Sequence, residues 1–171
     1  VRVNPTNGNN VSDKYSVLIL PATGAGTTTI TANLLDVGDS SQNNNAAGQV
    51  NQLVLGSGAS TFNVNTVNIG TGGRDVGAIT FGGGTGTLVL RAADGSSRAA
   101  FNMGTGSANT GVGAVTGNLV DLSGHNVDLL LSTLTIGGQN RNTDRSDSFT
   151  FDTGSLDATT GFRADQGAAT E

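Results

Sequence analysis

Thr66-Val67-Asn68-Ile69-Gly70 recurs along the chain as Leu34-Leu35-Asp36-Val37-Gly38, Ala100-Phe101-Asn102-Met103-Gly104 and Thr133-Leu134-Thr135-Ile136-Gly137. The closing glycines, at positions 38, 70, 104 and 137, are therefore almost evenly spaced. A period of about 20–50 residues is the mark of a repeat architecture in which each unit buries its apolar face against its neighbours. Within the motif the side chains alternate. Val67 and Ile69 face one way and Asn68 the other, as in a strand covered on one side. Stacking the copies gives two inward columns, Leu35/Val67/Phe101/Leu134 and Val37/Ile69/Met103/Ile136. The outward residue between them reads Asp36, Asn68, Asn102, Thr135. Such a column predicts a ladder of side-chain hydrogen bonds, as stacked amides form in cross-β structures. The closing glycines Gly38, Gly70, Gly104 and Gly137 read as corners, where the backbone needs positive φ or a bulge.

Outward from the motif, each repeat has the same order. A polar loop follows the glycine, apolar bursts resume, a glycine-rich turn intervenes, and a last burst leads to the next copy. Gly56-Ser57-Gly58, Gly82-Gly83-Gly84 and Ser123-Gly124-His125-Asn126 are the turns. The pattern predicts about three short strands per coil. Subtracting one period from Gly38 reaches back to residue 5 and places Val17, Ile19 and Ile30 in strand slots. Tyr15, Val17 and Ile19 alternate with Leu18 and Leu20, which predicts a strand covered on both faces. The expected organisation is a lead-in and partial first coil over 1–29, a repeat body over 30–163 and a tail over 164–171, all one domain. The fold class is all-β, a single-stranded parallel β-helix (β-solenoid) of about 33 residues per coil, within the range of known repeat lengths. Roughly four to five coils at about 4.8 Å each make a rod on the order of 20–25 Å long.

Composition agrees. Gly is 27 of 171 residues, well above the usual share of about 7%. Lys14 and Glu171 are the sole residues of their types, so helix-favouring charged side chains are scarce. The two prolines, Pro5 and Pro21, both precede the first full repeat, which suits a body of paired central strands. A net charge of −5 with no basic run argues against nucleic acid or an anionic membrane surface as partner. No apolar run reaches the length of a membrane-spanning helix, so no membrane insertion is expected. With no cysteine there is neither disulfide nor thiolate metal site. The chain begins with Val1, which reads as a mature product or an excerpt of a longer polypeptide.

Candidate chemistry is sparse. His125, the single histidine, stands in a turn and reads as a surface residue. Asp121 and Asp128 are close in sequence, but no nucleophile-elbow motif accompanies them. One histidine without cysteine cannot assemble a zinc site. Asp144, Asp147, Asp152 and Asp157, with Arg141 and Arg145, fall in the last coil. Paired carboxylates there are the candidates for acid/base work on a glycan, against a reading as turn and solubility residues. Asp36, Asp39 and Asn43–Asn45, or Asp144 and Asp147, supply oxygens for calcium. The stretch Gly82–Leu88 imitates a calcium-binding nonapeptide but has Thr87 where Asp belongs, and it lacks the ending of a phosphate loop. Thr27–Thr29, Thr61, Thr66 and Thr133 do not repeat as the Thr-x-Thr column of an ice-binding face. No cofactor is called for.

The Leu-x-Ile-Gly bursts, the Gly/Asn/Ser/Thr loops and phrases such as Ser148-Phe149-Thr150-Phe151-Asp152-Thr153-Gly154 resemble the β-strand repeats of bacterial autotransporter passenger and related large surface proteins. The resemblance covers residues 30–163. It implies a right-handed parallel β-helix, secretion and a place at the cell surface, and it carries over no functional residue. The expected function is a non-enzymatic structural or adhesive rod. Its expected partners are further copies stacked end to end, or other surface proteins and glycans. The alternative is a polysaccharide-active enzyme or carbohydrate-binding β-helix using the Asp and Arg residues of the last coil.

Overall fold

The structure, a computed structural model, describes residues 1–3, 16–21, 26–38, 50–71, 76–105, 117–137 and 147–165, the side chains of 161–165 excepted. All the regular structure described is β: β1 (Arg2–Val3), β2 (Val17–Ile19), β3 (Thr27–Val37), β4 (Val50–Leu55), β5 (Ala59–Ile69), β6 (Val76–Phe81), β7 (Thr87–Arg91), β8 (Ala99–Met103), β9 (Leu119–Asp121), β10 (Asn126–Gly137), β11 (Ser148–Thr150) and β12 (Thr153–Asp165). Every pairing is parallel, and paired strands belong to successive repeats. One sheet runs β2-β4-β6-β9-β11. The other runs β1-β3-β5-β7-β10-β12, with β8 between β5 and β10. Parallel pairing of successive repeats, with both sheets facing one core, is a β-solenoid-like fold.

The two sheets differ from the expected three short strands per coil. In β3, β5 and β10 the second and third bursts run as one strand that turns a corner in mid-course. The corner shows as a break in alternation. In β5, Phe62 and Val64 are buried, Asn65 and Thr66 are not, and Val67 and Ile69 are buried again. β10 makes the same break between Leu131 and Leu134. In the repeat of β7 and β8 the corner opens instead into a loop, Ala92–Arg98.

The core lies between the sheets, and its columns follow the register. Leu35, Val67, Phe101 and Leu134 stack, as do Val37, Ile69, Met103 and Ile136. All are buried except Ile136, which is half-buried. From the other sheet come Leu18, Leu53, Ile79, Val120 and Phe149. Each fully buried aliphatic side chain contributes roughly 1.5–3 kcal/mol. The middle repeats, covered above and below, hold most of that burial.

β2 corrects the reading of its strand as covered on both faces. Leu18 packs inward on the core, while Val17 and Ile19 are 44% and 64% exposed. The phase is opposite to the expected one because Leu18 pairs in register with Leu53. The expected residue Tyr15 lies outside the described residues. In β9 the inward residue is Val120, not Leu119, which is exposed.

Candidate functional site

The outward column between the two core columns is hydrogen-bonded from Arg2 through Asp36 and Asn68 to Asn102. Asn68 Nδ2 donates to Asp36 Oδ1 at 3.2 Å, and Asn102 Nδ2 donates to Asn68 Oδ1 at 3.1 Å. Arg2, opposite Asp36 in β1, donates Nε to Asp36 Oδ2 at 3.0 Å. Thr135 continues the column by register, and Arg163 stands beyond it. Direction matters here: each amide donates toward the N-terminal end, and the chain of donors ends on a carboxylate. Asp36 is outward in phase yet fully buried, and β1 pairs beside it with Arg2 opposite. A buried carboxylate must be paired or hydrogen-bonded, and the Arg2 guanidinium and Asn68 amide answer that need.

The glycines closing the motif have φ of +74° (Gly38), +58° (Gly70), +67° (Gly104) and +72° (Gly137). They line one seam, with Gly70 N donating to Val37 O and Gly104 N to Ile69 O, both at 2.8 Å. A second polar column runs under this seam, and the repeat pattern gave no warning of it. It holds Asn51, Gly77, Asn118 and Asp147, at the starts of β4, β6, β9 and β11. Gly77 N donates to Asn118 Oδ1 at 2.9 Å. Asn118 N and Nδ2 donate to Asp147 Oδ1 at 2.9 and 2.8 Å. Asn51 Oδ1 accepts from Ser16 N at 3.0 Å. Asn51 and Asn118 are buried. A third, exposed ladder marks the strand corner: Asn65 donates to Asn33 at 2.9 Å and accepts from Ala93 N at 2.9 Å.

His125 does not lie on the surface. It is 9% exposed, its ring stacks on Phe81 with centroids 3.7 Å apart and planes 12° apart, and Nδ1 lies 3.0 Å from Gly86 O. The turn folds inward because the ring fills the gap beside Phe81, an apolar platform that suits a flat heteroaromatic. Asp121 is committed elsewhere, to Ser123 N at 3.1 Å and Thr150 Oγ1 at 3.0 Å. These bonds, Ser123 first, hold its carboxyl below the usual range.

The acidic candidates of the last repeat separate. Asp147 belongs to the column beneath the glycine seam. Asp152 accepts from Gly124 N with both oxygens at 3.0 Å. Asp157 meets Arg98, whose Nη2 lies 2.7 Å from Oδ2, and the same guanidinium reaches the carbonyls of Leu131 and Asp157. Arg98 thereby spans from the Ala92–Arg98 loop across β10 to β12. Arg91 pairs likewise with Asp128, and Ser155 Oγ adds a bond to that carboxylate at 3.1 Å. Arg98 and Arg91 lower the pKa of Asp157 and Asp128 respectively. Exposed pairs of this kind contribute only modestly to stability. Asp144, Arg141 and Arg145 lie outside the described residues, as do Asp39 and Asn43–Asn45. Among the described residues no three acidic or histidine side chains converge as a metal would need, and no helix is long and apolar enough to cross a membrane.

Compared with known protein families, with curated proteins and with solved structures, the chain matches none.

Proposed function

We propose that this chain is a non-enzymatic structural or adhesive element: a β-solenoid of about 33 residues per coil and four to five coils, wound right-handed and carried outside the cell. Its repeat body is taken as 30–163, between a lead-in over 1–29 and a tail over 164–171. One observation carries the reading. Among the described residues, the side chains best suited to chemistry are spent on joining repeats to one another. Asp36, Asp128, Asp147 and Asp152 each accept hydrogen bonds from a neighbouring repeat, Asp157 accepts them from Arg98 two repeats away, and His125 is stacked inside. A general acid or base must reach a substrate proton, and a carboxylate saturated by arginine or backbone donors is poorly placed for that. Partners of such a rod are further copies or other surface proteins and glycans, met by its faces and ends.

Incubation with a panel of polysaccharides tests this directly. No new reducing or unsaturated sugar ends are expected, and their release, lost on Asp157→Asn, would return the molecule to the enzymes. Electron microscopy of concentrated material is expected to show elongated assemblies.

A further inference from the structure

Among the described residues the end strands of the stack have unpaired outer edges: nothing pairs with those of β2, of β3 before its last residues, of β11 or of β12. An open edge is a template for another strand. The end layers also carry inward side chains that are incompletely covered. Leu18 and Ile30 lie at one end and Phe149 and Leu156 at the other, all only partly buried.

The columns say what fits there. Read along the stack, the inward positions are Leu18/Leu53/Ile79/Val120/Phe149 and Ile30/Phe62/Leu90/Leu129/Leu156. Each column is apolar from end to end. Laying one copy on the next in the same register sets Phe149 against Leu18 and Leu156 against Ile30.

One slot is filled twice. The face bearing the glycine-ended motif holds six described strands (β1, β3, β5, β8, β10 and β12), whereas the opposite sheet holds five. In a stack, β12 of one copy and β1 of the next would contend for one place on β3. Their sequences are alike there: Val1-Arg2-Val3 and Phe162-Arg163-Ala164 each set an arginine between apolar residues. Their registers are alike too. Arg2 stands opposite Asp36 and Val3 opposite Val37. Arg163 stands opposite Thr135 and Ala164 opposite Ile136, in the same two columns. Asp36 is buried and paired with Arg2, so a strand that replaces β1 without a cation of its own would break that ion pair.

We propose that a second copy of this chain docks by strand exchange, its β12 displacing β1 from β3 so that Arg163 takes the place of Arg2 opposite Asp36. The inference rests on the structural reading above and names its contact. Because the contact joins two different surfaces and leaves both free ends open, it propagates into a filament instead of closing as a dimer. β1 then acts as a detachable cover that keeps single copies apart.

The test uses the full chain, which has no native cysteine. Thr29 and Ser155 share one outward, exposed column. Paired strands about 4.8 Å apart are within disulfide reach. Under mild oxidation T29C/S155C is expected to give a ladder of covalent oligomers, and the off-register pair T27C/S155C none. Arg163→Glu should weaken assembly on the order of thirtyfold or more, as loss of a buried charge partner does. Deleting residues 1–3 should strengthen it. Filaments that form without the T29C/S155C bond, or that ignore both Arg163→Glu and the deletion, overturn the exchange while leaving the structural reading standing. Monomers at every concentration overturn the docking altogether. Sugar release in the polysaccharide assay overturns the structural reading itself, whatever the assembly does.

Discussion

Gly70→Ala probes the seam more sharply than any other single change. At φ +58° an alanine sits in the left-handed region, which costs roughly 1–2 kcal/mol. A Cβ built there would also lie 1.7 Å from Asn118 Oδ1 and 2.4 Å from Asn118 Cγ. Asn118 must therefore move, and its bonds to Gly77 and Asp147 move with it. Stranding the buried Gly77 N–H and the half-buried Asp147 carboxylate costs about 1–3 kcal/mol more. The expected total is about 2–5 kcal/mol, a large part of a typical domain stability of roughly 5–15 kcal/mol. Gly95→Ala is the control. Its φ is +77°, but the nearest atoms to a new Cβ are 3.7 Å away, so only the backbone cost of about 1–2 kcal/mol applies. Urea unfolding followed by far-ultraviolet circular dichroism measures both. Asn118→Ala removes the obstruction, so the double variant with Gly70→Ala should lose less than the sum of the singles, by about 1–3 kcal/mol. Equal losses for Gly70→Ala and Gly95→Ala, or strict additivity with Asn118→Ala, would refute the account of the seam.

Asn68→Ala removes a donor to the Asp36 carboxylate and an acceptor for Asn102, and should cost about 2–4 kcal/mol in the same unfolding assay; a loss within about 0.5 kcal/mol, the range of an ordinary surface change, would mean the ladder carries no weight. His125→Ala should cost about 2–4 kcal/mol through the lost stack and the space it leaves, and His125→Phe, which keeps a ring against Phe81, should cost less. Asp94 is held from 3.8 down to about 2, chiefly by the Ser97 hydroxyl and then by backbone N–H donors. A carboxylate depressed in the folded state adds stability above its unfolded value and loses it as pH falls through the folded value. Asp94, Asp121, Asp128 and Asp157 are all shifted in that direction, so the urea midpoint should hold steady down to about pH 4 and fall between there and about pH 2. Carboxyl NMR titration should show Asp94 moving back up in Ser97→Ala.

The repeat motif was legible because it is short, closed by glycine and free of insertions, so its columns could be aligned by counting. The polar residue between the core positions was equally visible. That Asp36 is buried was not, since outward phase alone predicts an exposed side chain. The regular period also conceals compensation. β7 begins early, because Ala59 pairs with Thr87 at less than the glycine spacing. The Ala92–Arg98 loop then restores the interval, so that Thr66 pairs with Ala100 a full period on. In the other sheet Val50 pairs with Val76, short of the period, and Ala78 with Leu119, well beyond it. Against that irregularity Asn51, Asn118 and Asp147 could not be aligned, and Gly77 interrupts them. The available signal was the position of each just ahead of an apolar burst. His125 misled because Ser-Gly-His-Asn is turn chemistry, and only Phe81, brought beside it by the winding, draws the ring inward.

The Ala92–Arg98 loop has a practical consequence. It replaces a strand corner by a short excursion tied internally, with Ala92 N bonded to Ser97 O at 2.8 Å and Asp94 gathering Ser96 and Ser97. The strands on either side keep their partners in β5 and β10. The scaffold has thus already absorbed extra residues at one bend without surrendering alignment on either flank. The tip of that bend, between Ala93 and Arg98, is the natural place to graft a foreign peptide, with Ala93 and Arg98 left to keep their bonds to Asn65 and Asp157.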